Sequence, residues 1–304
     1  MKVIEPNKDY TARKPTIITL GNFDGVHIGH QKILKKVAER GETLNLPSLV
    51  YTFEPHPLTV VAPHKSPPLI STCRDKVRRI ASFGISRLIL ARFTIEFAAK
   101  HPTEFVEEVI MRQLKATEVW VGHDYRFGRG KGGTVEHLKE LGREFGFAVH
   151  IIPAHKKNGD IVSSSIIRRH IQGGKVREAA QLLGRLHAVS GAVVTGDRRG
   201  ATIGFPTANI APNGNLMPKN GVYAAYVTIG RTQYRGVANI GLAPTFKRER
   251  PFLEVHLLDF KRSIYGKELR IEFAERLRGE RTFKSADALT GQIEKDIERA
   301  SRIV

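Results

Sequence analysis

The chain has 304 residues, 41% hydrophobic and 26% charged, with a formal net charge of +19; this length points to two domains with enough apolar side chains to build cores. No stretch approaches the roughly 20 uninterrupted apolar residues that a membrane helix needs, and the first ten residues carry charges and a proline instead of an apolar signal core. The lone cysteine, Cys73, excludes an internal disulfide framework and fits a reducing, cytoplasmic setting.

A charge of +19 invites a polyanionic partner. It is spread along the chain, however, with +11 in residues 1–184 and +8 in residues 185–304, and no basic tail. The expectation is therefore no nucleic acid and no membrane, and an enzyme whose positive field serves phosphorylated small molecules. A basic nucleic-acid-binding protein and a binding module without turnover remain the rivals from other classes. A homo-oligomer stays open.

In chain order, Thr16–Leu20, Ser48–Phe53, Arg87–Ala91, Glu118–Val121 and Ala148–Ile152 read as short strands. Helical stretches over 31–42, 74–83, 103–114 and 135–145 alternate with them. Such alternation predicts a parallel, Rossmann-like sheet with right-handed crossovers and ligands beyond the carboxyl ends of its strands. The loops after Leu20, Phe53, Val121 and Ile152 are thus the places to look.

Immediately after the first of these strands comes GNFDGVHIGH, Gly21–His30, opening onto a helix. Glycines admit a phosphate close to the backbone, and a helix N-terminus offers unpaired N–H groups and a positive dipole end. His27 and His30 bracket Gly29, so both imidazoles can face one anion. A His-x-x-His zinc pair finds no third ligand of suitable spacing. Farther on, Ser163–Ser165 can cap a helix, with Arg168 one turn along to reach phosphate. GRGKGG at 128–133 matches a dinucleotide fingerprint but follows the wrong strand and lacks the closing acidic residue. It is expected to be a mobile loop over substrate.

Past Gly184, five strand-like runs (189–194, 223–229, 234–240, 252–258 and 269–273) separated by Gly, Pro and Asn turns predict an antiparallel barrel, closed off by a helix over 285–302. Before them, GDRRGATIGFPTANI (196–210) is a turn-to-strand corner in which Thr207 and Asn209 share a face, with Gly204 in the turn. Two neutral oxygens there suit Mg²⁺ beside ATP phosphates. Glu254 interrupts an apolar strand as a rim charge or a general base, while His256 reads as a packed barrel histidine.

GNFDGVHIGH resembles the HxGH signature of nucleotidyltransferases, in the form used by bacterial bifunctional riboflavin kinase/FMN adenylyltransferases, the prokaryotic FAD synthetases. FEPHP (53–57), VGHDYRFG (121–128), SSSIIR (163–168), PTAN (206–209), GVANIG (236–241) and LEVHLLDF (253–260) resemble that family in order across essentially the whole chain. The resemblance implies an adenylyltransferase domain over 1–184, with ATP lined by Gly21, Phe23, Asp24, His27, His30, Ser164 and Arg168. It implies a flavin contacted by Asp124, Arg126 and Phe127. It further implies a riboflavin kinase barrel over 185–304, with Gly204, Thr207 and Asn209 at Mg-ATP and Glu254 as base. Riboflavin and ATP would give FMN, and FMN with a second ATP would give FAD. The pattern departs at Ile166, Ala201 and Ala243, where relatives commonly carry arginine. A chain with only the adenylyltransferase site working is the runner-up.

Overall fold

The computed structural model describes residues 1–6, 10–157, 159–196, 200, 203–242 and 251–304. Ala201, Ala243 and the PTF segment at 244–246 lie outside the described residues. The chain divides into two compact units, Met1–Ser163 and Ser164–Val304. By this division residues 164–184, expected to close the first domain, pack with the second unit.

The first unit is a six-stranded parallel sheet in the order β1-β4-β3-β2-β5-β6. Its strands are β1 (Lys2–Ile4), β2 (Thr16–Leu20), β3 (Ser48–Phe53), β4 (Arg87–Ala91), β5 (Ala116–Gly122) and β6 (Ala148–Ile152). Five were expected; the sixth is the short edge strand β1, paired with β4. β2 is buried at every position, as a central strand covered on both faces must be. On one face pack α1 (Ile28–Thr43) and, after two short turns of helix including α2 (Pro57–Val61), α3 (Cys73–Ala81). They meet β2, β3 and β4 through Leu34, Val37, Ile80, Ile17, Val50 and Leu88. The opposite face is covered after the short α4 (Ile95–Ala98). There α5 (Pro102–Phe105) runs into a π-helical segment, Val106–Gln113, and α6 (Val135–Phe145) follows. Each fully buried Leu or Ile in these layers contributes roughly 1.5–3 kcal/mol.

From β2 the chain winds outward through β3 to β4, then returns to the other side of β2 for β5 and β6. The direction of winding therefore reverses between β2 and β5. In an open α/β sheet that reversal opens a crevice at the carboxyl ends of the two strands. The loops there are GNFDGVHIGH and VGHDYRFG. A two-stranded hairpin, β7 (Lys156–Lys157) with β8 (Asp160–Ile161), follows β6.

The second unit opens with α7 (Ser164–Gln172) and α8 (Val176–Leu183) and then forms a closed antiparallel barrel in the order β10-β13-β12-β11-β14-β9. The strands are β9 (His187–Val194), β10 (Ala208–Pro212), β11 (Gly221–Ile229), β12 (Thr232–Leu242), β13 (Pro251–Leu257) and β14 (Glu268–Arg278). Alternation of buried Leu253, Val255 and Leu257 with half-buried Phe252, Glu254 and His256 puts the former inside the barrel and the latter outside. The terminal helix α9 (Ala286–Ser301), capped by the Ser285 hydroxyl, lies on β11, β12 and β14. Among the described residues no helix is long and apolar enough to cross a membrane.

Candidate active sites

After β2 the backbone turns through two left-handed residues that are not glycine, Phe23 (φ 50°) and Val26 (φ 40°), with Gly25 between them at φ 76°. Such angles are sterically costly for side-chain-bearing residues and persist only where surroundings enforce them. Here the Gly25 amide donates to Ser71 Oγ (3.1 Å), the Thr52 hydroxyl donates to Asn22 O (3.2 Å), and Gln31 Nε2 donates to Val26 O (2.9 Å). Phe23 and Val26 plug the core beneath. Asp24, 4% exposed, accepts the Ile70 amide on both carboxylate oxygens (3.0 and 3.1 Å) and the Ser71 amide at 3.2 Å. Its carboxylate thus staples the signature loop to the segment ahead of α3.

The loop delivers His27 to the N-cap of α1, where its Nδ1 accepts the His30 amide at 3.2 Å. A neutral His27 with Nδ1 so engaged carries its proton on Nε2, a donor. The two imidazoles stack, 3.6 Å between centroids and 15° from parallel, and Phe23 meets His30 edge-on at 5.0 Å. A Cβ on Gly29 would stand 3.2 Å from the His27 ring, so the glycine makes room for the stack. Burial, and then the neighbouring His27, hold the His30 imidazole well below its ordinary range. One turn on, Lys32 Nζ lies 2.7 Å from His155 Nδ1 in the loop after β6. His155 is itself pushed below its usual range by desolvation and by Lys32 and Lys157. The ammonium groups of Lys32 and Lys157 and a helix N-terminus make this end of α1 electropositive. The motif exposed the two signature histidines; Lys32 and His155 come together only through the sheet order.

The other side of the crevice is aromatic. Phe53, the last residue of β3, meets Tyr51, Phe93 and Phe97 at centroid distances of 5.1–5.5 Å. Phe97, Phe105, Phe127 and Tyr125 extend the chain of rings. Phe127 is 6% exposed and packs in the sheet core, whereas Asp124 and Arg126 are exposed on the loop after β5. Phe127 and Gly133 exchange backbone hydrogen bonds (3.2 and 2.9 Å), and the Arg129 amide donates to Lys100 O. The GRGKGG loop is therefore pinned at its base. Burial and then Glu54 push the Cys73 thiol up to about 11, away from the thiolate form that reactive cysteines use.

Ser164 begins α7 and Arg168 follows on it, with Ile167 and Ile171 buried on another side. Both belong to the second unit. In the barrel, β10 places Asn209 opposite Glu254 of β13. A Cβ on Gly196 would overlap the Asn209 carboxamide, and one on Gly200 would stand 3.3 Å from Thr207 Oγ1. Thr207 and Asn209 are thus covered by a closely approaching backbone, while Gly204 turns the chain at φ 89°. His256 Nδ1 lies 2.9 Å from Pro206 O, and its ring meets Phe205 edge-on at 5.9 Å. The histidine thereby fixes the segment that leads into Thr207. Among the described residues no group of three or more His, Cys, Asp or Glu could hold a metal ion.

A family model described as FAD synthetase matches residues 9–166, and one described as riboflavin kinase matches residues 183–304. The chain belongs to the bifunctional riboflavin kinase/FMN adenylyltransferase family. The Escherichia coli K12 protein of that name is 38% identical over 95% of this chain and 93% of its own length. That of Bacillus subtilis is 37% identical over 94% and 92%. A solved Streptococcus pneumoniae structure, described as a macrolide-efflux protein, superposes with a TM-score of 0.89 at 33% identity over 98% of both chains. The expected architecture, a parallel-sheet nucleotidyltransferase unit followed by a closed kinase-type barrel and a terminal helix, is the one observed.

Proposed function

We propose that the barrel transfers the γ-phosphoryl group of ATP to the terminal ribityl hydroxyl of riboflavin, giving FMN and ADP. The parallel-sheet unit then joins FMN to the AMP portion of a second ATP, giving FAD and diphosphate. The observation that carries this reading is the presence, in one chain, of two separately built sites: the stacked His27–His30 pair capping α1, and the Asn209–Glu254 pair across β10 and β13. The efflux in the description of the pneumococcal structure is not carried to this chain, because the two relatives of 37–38% identity bear the bifunctional enzyme's name.

In the first reaction Glu254 accepts the proton of the attacking hydroxyl, a task for one positioned carboxylate. The neutral oxygens of Thr207 and Asn209 suit Mg²⁺, a hard ion that binds through few protein ligands alongside nucleotide phosphates. When bound, the ion would neutralise charge developing on the transferred phosphoryl group. In the second reaction no protein nucleophile is required. A phosphate oxygen of FMN forms a bond to the α-phosphorus of ATP as the bond to diphosphate breaks. His27 Nε2, Lys32 and the α1 N-terminus support the departing charge. The aromatic rim of Phe53, Phe93 and Phe97, with Asp124 and Arg126 nearby on the β5 loop, offers the isoalloxazine a stacking wall. The positive charge serves these small phosphorylated partners, in the cytoplasm, without nucleic acid.

The test is chromatographic separation of flavins after incubation with ATP and Mg²⁺, starting from riboflavin and, separately, from FMN. FAD from both supports the full reading. FAD from FMN alone would leave only the adenylyltransferase, with Ala201 and Ala243 as the first positions to restore to arginine. No conversion in either tube would refute it.

A further inference from the structure

The barrel register aligns one row of residues straight across its strands: Val194 (β9), Asn209 (β10), Glu254 (β13), Asn239 (β12) and Val222 (β11) are successive partners. Directly paired residues of an antiparallel ladder point to the same face, with Cβ atoms about 4.5–5.5 Å apart. Glu254 therefore stands between two carboxamides, Asn209 on one side and Asn239 on the other. All three are half-buried on the outer face, while their chain neighbours Ile210, Leu253, Val255, Ala238 and Ile240 fill the interior.

We propose that Asn239 is a positioning residue for the riboflavin kinase reaction. Its carboxamide, anchored on the opposite strand from Asn209, orients the Glu254 carboxylate toward the substrate hydroxyl. A base must be aimed at the proton it accepts, and an amide N–H donated to a carboxylate fixes the direction in which that carboxylate faces. Asn209 lies in the loop-side strand and faces the close-packed Gly196, so it is committed to that side. Asn239 sits within the long paired run of β11 and β12, held in a continuous register from Gly221–Ile240 to Ile229–Thr232. Rigid placement of this kind is what a residue that aims another requires. Among the described residues, other titratable groups near this site are His256, two residues along β13 and engaged with Pro206 O, and Glu280, which lies against Gly241 and accepts from Asn220 Nδ2 at 3.0 Å.

This inference rests on Glu254 being the base, and the experiment separates the two. FMN formation is followed in the full-length wild-type chain and in Glu254→Gln, Asn239→Ala and Asn239→Ser, with FAD formation from supplied FMN and thermal melting as checks on the fold. Asn239→Ala is expected to lower kcat about tenfold with KM for riboflavin little changed, and Asn239→Ser, which keeps a donor, to recover part of that loss. A wild-type kcat in Asn239→Ala, or a kcat in Asn239→Ser no higher than in Asn239→Ala, in a chain where Glu254→Gln abolishes FMN formation, overturns the role of Asn239. Persistent FMN formation in Glu254→Gln removes the base assignment and the inference with it. Should Asn239→Ala fail to fold, Asn239→Leu, of similar volume and without a donor, takes its place in the comparison.

Discussion

His27 Nδ1 accepts the backbone amide of His30 while the two imidazole rings lie stacked, 3.6 Å apart between centroids. One side chain thus caps α1 and presents an Nε2 donor to whatever anion meets the helix end. Replacing His27 by Asn keeps a good N-cap but removes the ring and its donor. FAD formation from FMN is expected to fall by about 10²–10³-fold, the usual cost of one electrostatic donor. FMN formation from riboflavin should stay near the wild-type rate. Equal loss of both, with melting unchanged, would contradict the division of labour between units.

The burial of His30 has a consequence for stability. Its folded pKa is held well below 6.5, by desolvation first and His27 second, so below pH 6.5 the unfolded chain binds a proton that the folded chain refuses. Stability then rises with pH through that window and is fully present above it. The parallel-sheet unit should melt at progressively lower temperature as pH falls from 6.5 toward 5, and His30→Gln should flatten that slope. Differential scanning calorimetry across pH 5–8 reads both; an equally steep slope in the variant would place the acid sensitivity elsewhere.

Asp24 tests the architecture of the signature loop. Its carboxylate holds the Ile70 and Ser71 amides while the neighbouring backbone sits in left-handed angles. Hydrogen bonds to a charged group contribute roughly 1.5–3 kcal/mol. Asp24→Ala is expected to lower the stability of this unit by about that amount and to reduce FAD formation. Asp24→Asn, which keeps one acceptor oxygen, should recover part of both. Chemical denaturation and the FMN-to-FAD assay measure the pair of effects together, and a stable, fully active alanine variant would show that the strained turn is held by its other contacts.

Much of this fold is visible in the chain itself. β2, β3 and β4 begin and end at the residues their β-branched runs predict, because strands covered on both faces are written as continuous apolar segments between turn residues; the half-exposed edge strand β6 matches its run as well. β1 escapes such reading: three residues with an exposed lysine at the front have no period of their own, and only β4 makes them a strand. β10 escapes it too, since ANIAP carries a proline and owes its pairing to β9 and β13. The stretch 103–114 has helical spacing, yet from Val106 it widens into π-helix, which apolar spacing alone does not distinguish. Among site residues the pattern is similar. His27, His30, Thr207 and Asn209 lie in short local motifs, whereas Lys32 with His155, the rim of Phe93 and Phe97, and Asn239 beside Glu254 are assembled by strand order and register.

Gly196 converts the barrel geometry into a selective prediction. Any Cβ at this position would overlap the Asn209 carboxamide, because the Gly196 backbone closes directly over it. Gly196→Ala should therefore displace Asn209 and lower FMN formation by up to about 10²-fold, the scale expected for an ångström of misplacement. FAD formation from supplied FMN should be spared. If riboflavin turnover is unaffected, Asn209 does not need its observed position.

The terminal helix is secured by a nearly buried ion pair. Arg278 Nε donates to both oxygens of Asp296 (3.1 and 2.8 Å), its Nη2 lies 2.8 Å from Oδ2, and Gln292 Nε2 adds a third donor at 3.0 Å. The two side chains are only 13% and 8% exposed, so each depends on the other for compensation of its desolvation. Removing one partner strands the other charge in a poorly solvated place, at a cost of about 3–5 kcal/mol, while replacing both by apolar groups of similar volume is often neutral. Asp296→Ala should thus destabilise the barrel unit by that amount, and Arg278→Met combined with Asp296→Leu should restore most of it. Urea unfolding followed by far-ultraviolet circular dichroism, with FMN formation as the native-state readout, tests the contrast. A double variant as unstable as Asp296→Ala would mean that the pair fixes the seat of α9 on β14 through its geometry, beyond balancing two buried charges.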